Sequence, residues 1–210
     1  MNTLSRLGAA CGAVFAIVLT VANGDGSHPF SGPRAIAGIT AITLLVPFIC
    51  YLTGVLGAAD RTGGWLAGTA LAAGITGVAL KLGSAAPELA RHTAHLAAGT
   101  QLYTALGAVA DGATVLSLYP LAVFCATTAV AALRGRALPR WLAAGAGVTA
   151  AALAVNGAFL GTDSVPALLL FALWILLVSV HLLRQTWRSP GLATPEGRHD
   201  AARAGAVAGA

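Results

Sequence analysis

The sequence predicts an all-α protein, a polytopic bundle of about six transmembrane helices. Three observations carry this. Hydrophobic residues make up 57% of the 210 positions and charged residues only 9%, against roughly 25% charged in an ordinary soluble domain. Mean hydropathy is +0.81. The apolar residues fall in long unbroken stretches divided by short polar turns. So few charges cannot cover a soluble surface, which excludes a typical soluble enzyme, a disordered chain and a disulfide-rich secreted module. A bilayer core about 30 Å thick takes roughly 20 apolar helical residues. Barrel strands, which alternate polar and apolar residues over about ten positions, do not fit stretches this long and continuous.

Taken in order, the expected spans cover residues 7–22, 35–57, 64–80, 112–132, 141–160 and 165–183. Asn23-Gly24-Asp25-Gly26-Ser27 and Ser31-Gly32-Pro33 break the chain after the first. Asp60-Arg61-Thr62-Gly63-Gly64 is a tight polar turn before the third. Arg134-Gly135-Arg136-Ala137-Leu138-Pro139-Arg140 is a short basic turn whose proline suits a helix start. Pro166 follows Gly161-Thr162-Asp163-Ser164 in the same way. Pro47 and Pro120 interrupt the second and fourth spans, either freeing carbonyls for a substrate or only kinking the helix. Beyond residue 188 the Pro, Gly, Ala and scattered charge of 189–210 predict a disordered tail.

The stretch 83–110 admits two readings. Ser84 and Pro87-Glu88 resemble a helix start, and 87–110 reads as a helical segment on the outer side. In one reading a long helix enters the membrane near Leu102 and kinks at Pro120. In the other the segment lies on the surface and Asp111 caps a separate fourth span.

Loop charge orients the bundle. With both termini inside, Arg6, Arg61, the three arginines of 134–140, Arg184, Arg188, Arg198 and Arg203 face the cytoplasm, and only Arg34, Lys81 and Arg91 face out. Trp65, Trp141 and Trp187 all fall at inner span ends, where an amphipathic ring favours the headgroups. The expected location is a bacterial cytoplasmic membrane. The first span also reads as a signal peptide, with Arg6 as its basic region and Thr20-Val21-Ala22 as a cleavage site. Gly8 and Gly12 favour the packed-helix reading instead. No basic run with interleaved aromatics suggests nucleic acid, so the expected partners are the bilayer and other membrane proteins.

Several residues invite a chemical role. Asp111, the acid nearest the membrane interior, reads either as a proton or cation site or as a helix cap. Asn156, at a similar depth, needs a partner in lipid and would line an outward-facing polar cleft if it met Asp111. His92 and His95 are three apart and would share a helix face, as a weak metal pair or as interfacial histidines. Cys11, Cys50 and Cys125 read as a soft-metal set or as small hydrophobes in helix interfaces. Arg134, Arg136 and Arg140 form an expected contact for anionic lipid or a partner. No nucleophile–base set, phosphate loop or dinucleotide fingerprint is visible, and no cofactor or metal is expected.

Residues 111–142, DGATVLSLYPLAVFCATTAVAALRGRALPRWL, resemble a group of small bacterial integral membrane proteins. In that group a helix with Pro-Leu-Ala runs into a basic turn ending Leu-Pro-Arg-Trp-Leu. The opening Arg6-Leu7-Gly8-Ala9-Ala10 is similar too. The resemblance implies five to six spans and no established reaction. The group often carries His-Asp where this chain has Ala110-Asp111. The leading functional expectation is a non-enzymatic membrane protein acting through lipid, partner or membrane-stress contacts. A small transporter with a cleft near Asp111 and Asn156 is the alternative. A membrane enzyme using the outer His and carboxylate groups is the third.

Overall fold

A computed structural model describes residues 3–23, 33–59, 64–160 and 165–188. The expected tail 189–210 and the polar breaks at 24–32, 60–63 and 161–164 lie outside them. The described residues form α1 (Thr3–Asn23), α2 (Pro33–Ala59), α3 (Trp65–Thr93), α4 (Gln101–Gly135), α5 (Arg140–Val155) with a π turn over Asn156–Leu160, and α6 (Val165–Arg188). The protein is an all-α bundle. Five of its helices are long and apolar enough to cross a membrane, and α1 contributes a shorter apolar stretch, Arg6–Val21.

Each helix packs on its neighbours in chain order, and α6 returns to α1, so the helices close into a ring. Short turns between long helices leave antiparallel neighbours as the natural arrangement. The interior is filled by Phe48, Phe124, Phe171, Leu52, Leu153 and Ile175, all buried. Rings meet edge to face: Phe15 on Phe171 at 6.2 Å and Phe124 on Trp174 at 6.1 Å. The Trp174 indole Nε1 donates to the Leu142 carbonyl at 3.1 Å, tying α6 to α5. An unpaired indole N–H would be costly at that depth, so this bond sets the ring's orientation.

Helices in lipid gain little from hydrophobic association and rely on close packing, for which small residues are suited. Gly8 lies against Tyr51, and Gly12 lies against both Phe48 and Ser179. The expected packing role of this pair holds. Gly77 is similar: a Cβ there would stand 2.7 Å from Leu121 Cγ. Gly68, by contrast, has open space around its would-be Cβ. Buried hydroxyls turn back on their own helix. Thr53 Oγ1 donates to Ile49 O at 2.8 Å, and Thr149 Oγ1 to Gly145 O at 2.8 Å.

Two sequence expectations change. The segment 87–110 is not one helix: it is divided among the end of α3, a turn and the start of α4. Nor does Asp111 cap a helix. The N-cap of α4 is Thr100, whose side chain accepts from the Tyr103 amide, and α4 runs without a break through Asp111 and Pro120. Apolar residues at 102–110 continue the helical pattern, so no break forms at Gly112. The α3–α4 hairpin therefore extends well past the expected ends of both spans.

Filling the Gly12 contact should loosen the α1 seam. Gly12→Leu is expected to cost about 1–3 kcal/mol, as overpacking does, seen as a lower Tm in detergent. Gly54→Ala, where nothing lies within 4 Å, should leave Tm unchanged or slightly raised.

Candidate functional site

Lys81 is the one lysine of the chain, and it sits within α3 in the membrane-length segment Trp65–Arg91. Its Nζ donates to Thr114 Oγ1 on α4 at 3.1 Å. Asp111 lies a turn away on α4, within electrostatic reach of the lysine. Ser117 Oγ donates to the Thr114 carbonyl at 2.6 Å. Asp111, Thr114 and Ser117 recur every three residues, so they share a helix face. Along this line exposure falls steadily: Asp111 is exposed, Thr114 half-buried and Ser117 buried. A polar track thus leads inward from the surface to the lysine.

Beside that track is a cavity of about 50 Å³. Five helices wall it, with Phe15 from α1, Leu45 from α2, Val78 from α3, Leu121 from α4 and Phe171 from α6. Lys81 and Ser117 are its polar members. Neither Asp111 nor Asn156, the residues of the expected polar cleft, lines this cavity. Asp111 is exposed and interacts with Lys81, not with an amide. Asn156 is buried at the start of the π turn, and its Oδ1 has no hydrogen-bond partner among the described residues. A π turn inserts an extra residue and recurs where a helix is bent to a task. Here it includes Gly157, whose would-be Cβ lies 3.2 Å from the Tyr119 ring.

His92 and His95 do not lie on one continuous helix. α3 ends at Thr93, and His95 stands exposed in the turn with a φ of 48°. The spacing of three gives a shared face only on a continuous helix. Among the described residues no three His, Cys, Asp or Glu side chains come together as a metal group. The hairpin is instead pinned by Arg91. Its guanidinium pairs with Glu88 at 2.9 Å and lies over the Tyr103 ring, 3.7 Å from the centroid. Gly107 leaves the room for it, since a Cβ there would stand 3.2 Å from the guanidinium.

At the opposite end of the bundle the basic turn forms a cleft of about 380 Å³. Arg136 and Arg140 line it together with Ala132, Leu133, Leu138 and Pro139. Arg134 is exposed on the last turn of α4 and is not part of the lining. Gly135 sits where a Cβ would meet the Ala59 carbonyl oxygen at 3.1 Å. The left-handed helix cap, usually taken by glycine, falls on Arg136 with φ 52°. At the start of α5, Leu142 and Ala143 donate to the Pro139 carbonyl. The Arg140 and Trp141 amides, among the first four of the helix, have no intrahelical acceptor. Trp141 is 58% exposed beside them.

Comparison with known proteins finds no matching family model, no matching curated protein and no matching solved structure. The geometry alone therefore carries the reading. Sequence reasoning placed Lys81 on the outer side and did not anticipate its bond to Thr114 or its place on a cavity. The signal was there: Val78-Ala79-Leu80-Lys81-Leu82 carries the apolar helical pattern through the lysine. It also missed Trp174, whose role depends on a carbonyl 32 residues away.

The Arg91 stack should decide the hairpin's rigidity. Arg91→Met is expected to speed amide exchange across 86–107 by about tenfold, the loss of one charge-assisted contact. Arg91→Lys should rescue little, because an ammonium lacks the planar stack. Hydrogen exchange read by mass spectrometry checks both.

Proposed function

We propose that this is an integral membrane protein of non-enzymatic character whose basic turn holds the headgroup of an anionic phospholipid. The observation that carries the reading is the cleft at the α4–α5 turn, with guanidinium groups at Arg136 and Arg140 over walls of Leu133, Leu138 and Pro139. Arginine forks match phosphate oxygens, and the unspent amides at the start of α5 add donors of the same polarity. The apolar walls and the exposed Trp141 ring suit the glycerol and upper acyl region. The charge excess at this end supports a cytoplasmic facing, with both termini on that side, in a cytoplasmic membrane.

Depth follows from helix length. From Asp111 to Gly135, α4 rises roughly 36 Å at about 1.5 Å per residue. A hydrocarbon core of about 30 Å then runs from the basic turn to the level of Lys81 and Asp111, and the hairpin beyond it stands in water. The transport reading draws support from one further observation, the lysine-edged cavity.

Lipid retention tests the proposal. Full-length protein in detergent, equilibrated with phosphatidylglycerol or phosphatidylcholine, is weighed by native mass spectrometry. Preferential retention of phosphatidylglycerol is expected. Near a membrane each basic residue contributes about 1 kcal/mol, so Arg136→Gly with Arg140→Gln should weaken retention by about ten- to thirty-fold. Glycine suits the left-handed position, so Tm should hold. Equal retention of both lipids, or no change in the variant, would contradict the proposal.

A further inference from the structure

We propose that the cavity beside Lys81 is a binding site for a short-chain monocarboxylate, with the carboxylate on the Lys81 ammonium and the alkyl end among the apolar walls. This site is separate from the lipid cleft, which lies at the other end of α4. The reasoning begins with donors. An ammonium has three N–H groups, and Thr114 Oγ1 takes one of them. Among the described residues no carboxylate stands within ion-pair distance of Lys81. The side chain edges a cavity that is otherwise apolar except for the Ser117 hydroxyl. Placing a charge in such surroundings is costly, and the charge persists where a partner is supplied. Asp111 supplies a distant one, and it is exposed, so solvent screens its repulsion of an incoming anion. Lys81 itself lines the cavity.

Size then narrows the class. The cavity holds about 50 Å³, against about 150 Å³ for one that takes benzene. That favours an alkyl group of two or three carbons over a longer acyl chain. The apolar walls Phe15, Leu45, Leu121 and Phe171 offer an inorganic anion nothing in place of its hydration shell. A carboxylate with a short apolar end matches both parts: the head meets Lys81 at the edge and the alkyl group fills the cavity. The stepped track of Asp111, Thr114 and Ser117 gives the head a polar route inward.

The test uses full-length protein in lipid nanodiscs titrated with carbon-13-labelled acetate, propionate, butyrate and octanoate, read by nuclear magnetic resonance line broadening. Saturable binding of propionate and butyrate is expected, with octanoate at least about tenfold weaker. Chloride at equal concentration should not displace propionate. Lys81→Met, close in length and uncharged, should weaken propionate by about tenfold or more, while phosphatidylglycerol retention at the basic turn stays unchanged. The chain-length series needs no substitution, so it decides even if Lys81→Met fails to fold. Absence of saturable propionate binding overturns the proposal. So does octanoate binding as well as propionate, displacement by chloride, or a folded Lys81→Met that binds like the parent. Failure here with lipid preference intact removes this site and leaves the lipid cleft standing.

Discussion

A helix surrounded by hydrocarbon must satisfy its polar groups from within, because no water is present to complete its hydrogen bonds. Nearly everything in this bundle follows from that requirement. Among the described residues the long apolar stretches are helical. Interior hydroxyls such as Thr53 and Thr149 donate to carbonyls of their own helices. The Trp174 indole reaches across to Leu142. Against this background the exceptions stand out: the Asn156 Oδ1 without a partner, and the Thr128 and Ser179 hydroxyls in the same state. Lys81 stands out most, since it edges an otherwise apolar cavity and gives Thr114 only one of its donors.

The two ends of the bundle solve different problems. At the basic end α4 comes close enough to α2 that a Cβ at Gly135 would crowd the Ala59 carbonyl, and Arg136 takes the left-handed cap. For a non-glycine residue that conformation costs roughly 1–2 kcal/mol. The same turn places two arginines on one cleft. At the other end α3 and α4 run on beyond the rest, and their connection is held by the Arg91 stack on Tyr103 and its pair with Glu88. Polar residues gather at both ends, while the flanks of the bundle expose Val123, Val130, Val148 and Leu173. That distribution suits a bilayer around the middle.

The fold class and most helix positions were legible in the sequence, because uninterrupted apolar length is a one-dimensional signal. The α5 and α6 starts at Arg140 and Val165 follow turns that polar residues and proline announce. Helix ends were less legible where polarity and helicity part company. Residues 81–93 contain Lys81, Glu88, Arg91 and His92, which argue against lipid, yet they remain helical because α4 pairs with them outside the expected span. The histidine spacing was read as a helix face, but the turn after Thr93 removes it. The Lys81–Thr114 bond was beyond reach, since it needs the register of α3 against α4. The Asn156 π turn leaves no periodic trace in five residues.

Spin labels on α4 test most directly that hydrocarbon covers this helix up to the level of Asp111 and water covers it beyond. With Cys11, Cys50 and Cys125 replaced by alanine, Leu102→Cys, Leu116→Cys and Val123→Cys place a label along the exposed face. In liposomes, dissolved oxygen should relax the labels at 116 and 123, and a water-soluble nickel chelate should relax the one at 102. A chelate that reaches all three alike would contradict the bilayer placement, and with it the interior position of Lys81.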